Sequence, residues 1–92
     1  MAILIPAYGE RSTITGEDSG KFSLAQLRAV VGGYIEIVNL RRGLLMICNE
    51  DGKRLQLPVN EFATQLYRFT HPGIADVIVG DVLVARYPEE VD

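Results

Sequence analysis

One histidine, one cysteine, three serines and a pair of aspartates around a glycine are the residues of this 92-residue chain with reactive potential. His71, as the one imidazole, would be the natural general base. It sits in His71-Pro72-Gly73, a helix-breaking turn, and reads as a surface or helix-end residue. Ser12, Ser19 and Ser23 offer hydroxyls, yet none lies on a strand-to-helix nucleophile elbow. Asp76 and Asp81 flank Gly80 and have the chemistry of an acid/base pair or a cation site, but turn-forming acids explain them more simply. Cys48 lies in an apolar run, where a free thiol behaves as a small buried hydrophobe. No Cys-His spacing points to zinc. Gly32-Gly33 follows a helix, whereas phosphate-binding glycine loops follow a strand and open a helix. The reading is therefore no catalytic set, no metal site and no cofactor.

Binding chemistry is better represented. Gly33 before Tyr34 exposes backbone beside an aromatic ring, an arrangement that admits a stacked planar ligand. Asn49 flanks Asp51-Gly52, and Asn60 stands where a helix should begin. Free amide donors at that helix start, with Lys53 or Arg54 nearby, would hold a phosphate or carboxylate. The candidate ligand-binding residues are thus Gly33, Tyr34, Asn49, Lys53, Arg54 and Asn60. Arg41-Arg42 reads as a solvated hairpin tip.

These residues need elements to position them. Ala2 to Pro6 is a short apolar strand ended by proline, and residues 8–21, rich in Gly, Ser, Thr and charge, read as a flexible loop in which Ile14 could anchor a short hairpin. Ser23 and Gln26 have capping-box spacing, with Phe22 placed to staple onto Leu27. Leu24, Leu27, Val30 and Val31 make the buried stripe of a helix that Gly32 stops. Tyr34 to Val38 is a strand, with Ile35 and Ile37 on one face. Leu44 to Cys48 is apolar without alternation, as in a central strand covered on both faces. Asp51-Gly52 predicts a two-residue hairpin into a half-exposed strand through Leu55 and Leu57. Asn60 caps a second helix with Phe62, Leu66 and Phe69 on one stripe, and the His71-Pro72-Gly73 turn ends it. Val77 to Val79 and Val82 to Ala85 are strand-like around a turn, bulge or kink at Gly80-Asp81, and residues 88–92 form an acidic, solvated tail. The order is β-α-β-β-β-α-β: one α+β domain over residues 1–92, with two helices and a mixed or antiparallel sheet of four to five strands.

The chain is 48% hydrophobic and 23% charged, a balance that fills one modest core and leaves little room for a deep cleft without a second subunit. Its net charge of −3 argues against a general nucleic-acid binder, which needs clustered positive charge. The start, MAILIPAYGERS, has neither a basic leader nor a sustained apolar stretch, so a signal peptide and a membrane span are not expected. A lone cysteine fits a reducing cytoplasm.

The run from Leu24 to Val38 (L-x-x-L-x-x-x-V-G-G-Y-I-E-x-V) is followed by C-N-E-D-G-K at Cys48 to Lys53. L-P-x-N at Leu57 to Asn60 and D-V-I-V-G-D at Asp76 to Asp81 complete the pattern. In this order, over nearly the whole chain, the combination resembles domain-of-unknown-function family 3846. The resemblance implies a small cytoplasmic protein of bacteria, phages or other mobile elements, and it brings no catalytic residues. Gly32, Gly33, Tyr34, Glu36, Asn49, Gly52, Lys53, Pro58 and Asn60 belong to the matching pattern.

Three functions are compatible with these residues. The leading expectation is a non-enzymatic binding or interaction protein, phage-borne in one version, that sequesters a small anionic, nucleotide-like ligand or a protein partner, and does so as a homo-oligomer. The second is a small hydrolase or transferase using Asp76, Asp81 or His71. The third is an accessory nucleic-acid protein using Arg41, Arg42, Lys53 and Arg54, which the acidic balance disfavours.

Overall fold

Ser23 opens the first helix as its spacing predicts. In the computed structural model, which describes all of residues 1–92, its hydroxyl accepts from the Gln26 N–H at 3.1 Å. Helix α1 spans Leu24–Val31, and Gly32 closes it at φ 79°, where a side chain would strain the backbone. The return arm of the capping box goes elsewhere. The Gln26 side chain accepts from the Glu17 N–H at 3.0 Å and donates to the Thr15 carbonyl at 3.2 Å. The segment expected to be a loose loop is thereby tied to α1, and part of it is a strand.

Five strands form one sheet: β1 (Ala2–Ile5), β2 (Ser12–Ile14), β3 (Ile35–Asn39), β4 (Leu44–Asn49) and β5 (Val82–Arg86). Their spatial order is β2-β1-β5-β4-β3, and every neighbouring pair is antiparallel. With α1 and a second helix, α2 (Glu61–Thr70), the chain is an α+β domain, as its sequence pattern implies. No helix is long and apolar enough to cross a membrane.

The alternation of side chains along β4 and β5 divides the core in two. Leu45, Ile47, Leu83 and Ala85 pack with Phe22, Leu27 and Val31 on the α1 side. Met46, Cys48, Val82 and Val84 pack with Ala63 and Ile78 on the α2 side. The sheet is therefore a central layer between the helices, which is why β4 carries apolar residues at successive positions.

Four local expectations change. Asp51-Gly52 is not a hairpin, and Leu55 and Leu57 are not on a strand. The Asp51 N–H binds the Asn49 Oδ1 at 2.8 Å, and the Leu55 N–H then returns to the Asp51 carbonyl at 2.9 Å, so the chain coils. The fifth strand of the sheet is Ser12–Ile14 instead. Val77 to Val79 also form no strand; only Val79 bridges, to Val59. On α2, Ala63 and Thr64 are buried while Phe69 is 76% exposed. The Thr64 hydroxyl accepts from the Ile78 N–H at 2.9 Å, and of the expected stripe Leu66 packs against the α2-side core while Phe62 and Phe69 are exposed. Finally, the tail docks. Val91 enters the α1-side core, the Glu90 carbonyl accepts from Phe22, and the Glu90 carboxylate accepts from the Arg86 N–H at 3.0 Å.

Candidate functional site

A cleft of about 210 Å³ opens on the α2 side of the sheet, between the outer end of the β3–β4 pair and residues 76–79. Glu36 and Val38 of β3 form one wall, because even-numbered residues of that strand face α2. Cys48 and Asn49, at the end of β4, form the floor. The coil after β4 contributes Glu50 through Arg54, and Tyr67 of α2 closes the far side.

The coil and the opposite wall are joined by charge. Lys53 donates to the Asp76 carboxylate across the cleft, and Arg54 reaches back to Asp51 at 3.3 Å. Asp76 is held below the usual carboxylate range, chiefly by the Lys53 hydrogen bond and then by the Val77 N–H. Arg68 donates to the Ala75 and Asp76 carbonyls, at 2.9 and 3.3 Å, and so anchors that wall to α2. Glu36 and Glu50 form no ion pair. The lining therefore presents four carboxylates (Glu36, Glu50, Asp51, Asp76) against two cations, both already paired.

Cys48 lies opposite Glu36 in the β3–β4 register. Burial first, and the Glu36 charge second, push its thiol from 9.0 up to about 12. Such a thiol stays protonated at neutral pH and is a poor nucleophile.

The structure gathers three of the six nominated residues, Asn49, Lys53 and Arg54, in this cleft. Gly33, Tyr34 and Asn60 lie outside it. Gly33 is small for a structural reason: a Cβ there would stand 3.0 Å from the Asn49 Nδ2, which donates to the Val31 carbonyl at 3.1 Å. Tyr34 is exposed, with the Arg28 guanidinium 4.4 Å from its ring centroid. Asn60 is buried and saturated. Its Oδ1 accepts from the Ala63 N–H at 3.1 Å, and its Nδ2 donates to the Ile5 and Gly80 carbonyls at 2.9 Å each. Lys53 and Arg54 are turned to Asp76 and Asp51, so the expected anion site at the start of α2 is not assembled. Arg11 instead lies 3.9 Å from the ring centroid of Phe62.

The three residues of the hydrolase reading are each committed elsewhere. His71 Nδ1 lies 2.9 Å from the Thr70 hydroxyl, Asp81 accepts from the Ala7 N–H at 2.9 Å, and Asp76 holds Lys53. No three His, Cys, Asp or Glu side chains gather as metal ligands would. Glu36 was missed as a cleft residue. The one available signal was its alternation with Val38 on the face opposite Ile35 and Ile37.

Residues 2–92 match the model of a family described as Domain of unknown function (DUF3846). No curated protein and no solved structure matches the chain.

Proposed function

We propose, for a chain that belongs to the DUF3846 family along essentially its whole length, a non-catalytic binding role in which the β3–β4 cleft accepts a cationic group. The observation that carries this reading is the excess of carboxylates in the cleft, two of them without a countercharge. Size supports it too. Ligand pockets commonly span roughly 300–1,000 Å³, and a cleft of about 210 Å³ suits one side chain or a small amine better than a whole nucleotide. A lysine or arginine presented by a protein partner, or a free polyamine, has the right charge and reach. The buried free thiol of Cys48 supports a reducing, cytoplasmic setting.

Calorimetric titration tests this with spermidine and a lysine-rich peptide on one side, and cyclic and linear nucleotides on the other. Binding of the cationic probes, weakened about tenfold by Glu36→Gln through loss of one charge-assisted contact, is the expected result. Silence from both cationic probes would remove the reading. The nucleotide-sequestering alternative draws on Lys53 and Arg54 at the rim, and it requires both of their ion pairs to open. Nucleotide binding abolished by Lys53→Ala would favour it.

A further inference from the structure

The two edges of the sheet are unlike. β2 has only three residues, is flanked by Glu10, Arg11, Glu17 and Asp18, and runs into a segment folded back through the Gly16–Gly20 and Asp18–Lys21 bridges. Short length and local charge are common protections against edge-to-edge pairing. β3 is longer and carries a single charge, Glu36, on the α2 face: five residues, Ile35–Asn39, in unbroken register with β4, with no proline, no lysine and no bulge.

The phase of its hydrogen bonds follows from its ends. Glu50 N–H donates to the Tyr34 carbonyl and Leu40 N–H to the Leu44 carbonyl, both at 2.9 Å. Even-numbered residues of β3 thus turn their backbone groups toward β4. Ile35, Ile37 and Asn39 turn theirs outward. Ile37, at the middle of this open row, is 45% exposed.

We propose that two copies of this chain pair antiparallel through β3, with Ile37 opposite Ile37 of the second copy. That register joins the outward groups of Ile35, Ile37 and Asn39 in about six backbone hydrogen bonds. It sets the two Ile37 side chains against each other. Glu36 falls opposite Val38 of the second copy, so no like charges stand face to face. The same register carries the Arg41-Arg42 turn of the second copy to the Gly32-Gly33 end of α1. Those arginines have no ion pair within their own chain, and a helix C-terminus favours positive charge. Because Glu36 and Val38 also line the cleft, the pairing brings two clefts side by side along the seam. That last consequence rests on the cleft reading; the pairing does not.

Light scattering over a range of concentrations, with amide hydrogen exchange on the unaltered chain, tests the pairing without any ligand. The expected result is a mass rising from one chain to two, with exchange at Ile35, Ile37 and Asn39 slowing at least tenfold over the same range. Ile37→Lys and Ile37→Glu should each be monomeric, and mixing them should restore a one-to-one dimer. A one-chain mass throughout, a dimer that survives both substitutions, or exchange at Ile37 indifferent to concentration would each overturn the proposal. If a substituted chain loses its circular-dichroism signature, the exchange measurement on the unaltered chain decides alone. Failure of the cationic probes leaves these results unaffected, so the two proposals fail separately.

Discussion

Asn60 donates its side-chain amide to the Gly80 carbonyl at 2.9 Å, from a position that is only 1% exposed. The same nitrogen reaches Ile5, so one residue at the start of α2 ties β1 and the approach to β5 together. Asn60→Ala is expected to cost about 3 kcal/mol, from a lost cap and two buried carbonyls left unpaired. Asn60→Asp separates those roles. Aspartate caps helices as well as asparagine does, but here its second oxygen would face two carbonyl oxygens. Denaturant unfolding should find Asn60→Asp at least as destabilised as Asn60→Ala at pH 7. A near-neutral Asn60→Asp would reduce Asn60 to an ordinary cap.

Gly33 and Asn49 form a second buried joint, between the end of α1 and the end of β4. Gly33 is not in the left-handed region, so an added methyl acts only by crowding the Asn49 amide. Gly33→Ala should cost about 1 kcal/mol by overpacking, and Asn49→Ala about 2 kcal/mol by leaving polar groups unpaired. The double variant should fall short of their sum by about 0.5 kcal/mol or more, because the methyl has nothing left to crowd. Strict additivity in unfolding experiments would show that the contact is not what selects glycine.

Cys48 makes a pH-dependent contribution whose sign follows from its raised value. The folded thiol holds its proton up to about 12, while the unfolded thiol releases it near 9.0. Between those values the unfolded state binds fewer protons, so stability falls as pH rises, by up to about 1.4 kcal/mol per pH unit. Below pH 9.0 the contribution is complete. Urea unfolding at pH 8 and pH 10 should show a steeper loss for the unaltered chain than for Cys48→Ala. Aromatic disulfide reagents should leave the native thiol unmodified until denaturant is added. Parallel pH profiles for the two chains would contradict the assignment.

The parts of this structure legible in the sequence are those decided by near neighbours. The Ser23 cap, the Gly32 stop and the uninterrupted apolar run of β4 each declare themselves within a few residues. The misread parts depend on distant ones. Gly52 suggested a hairpin because glycine usually signals a turn. Its φ is not positive; a Cβ there would meet the Val79 side chain at 2.7 Å. Phe69 suggested core, but the buried side of α2 carries Ala63 and Thr64, with Thr64 bonded to Ile78. Asn49 and Asn60, nominated by their neighbourhood as ligand contacts, each make more hydrogen bonds than a turn or a cap needs. Their surplus hydrogen bonds go to buried backbone, at Val31 for Asn49 and at Ile5 and Gly80 for Asn60. The cleft itself is half visible: Lys53 and Arg54 signal charge, while their acidic partners are Asp76, beyond α2 in the chain, and Asp51, in the turn just before them.

The last three residues offer the sharpest contrast between composition and structure. Their acidity suggests solvation, yet Val91 is 3% exposed within the α1-side core. Glu90 is equally engaged, through its carbonyl to Phe22 and its carboxylate to the Arg86 N–H. Burying one valine side chain stabilises by about 2 kcal/mol, and the hydrogen bonds of Glu90 add about 1 kcal/mol each. Truncation after Glu89 should therefore lower stability by about 4 kcal/mol and loosen Phe22, which would leave the N-terminal end of α1 without its packing. Asp92→Asn, which touches only the exposed Lys21 pair, should change little. Unfolding midpoints for the two variants check the order. A truncated chain as stable as the full one would return residues 90–92 to the solvent.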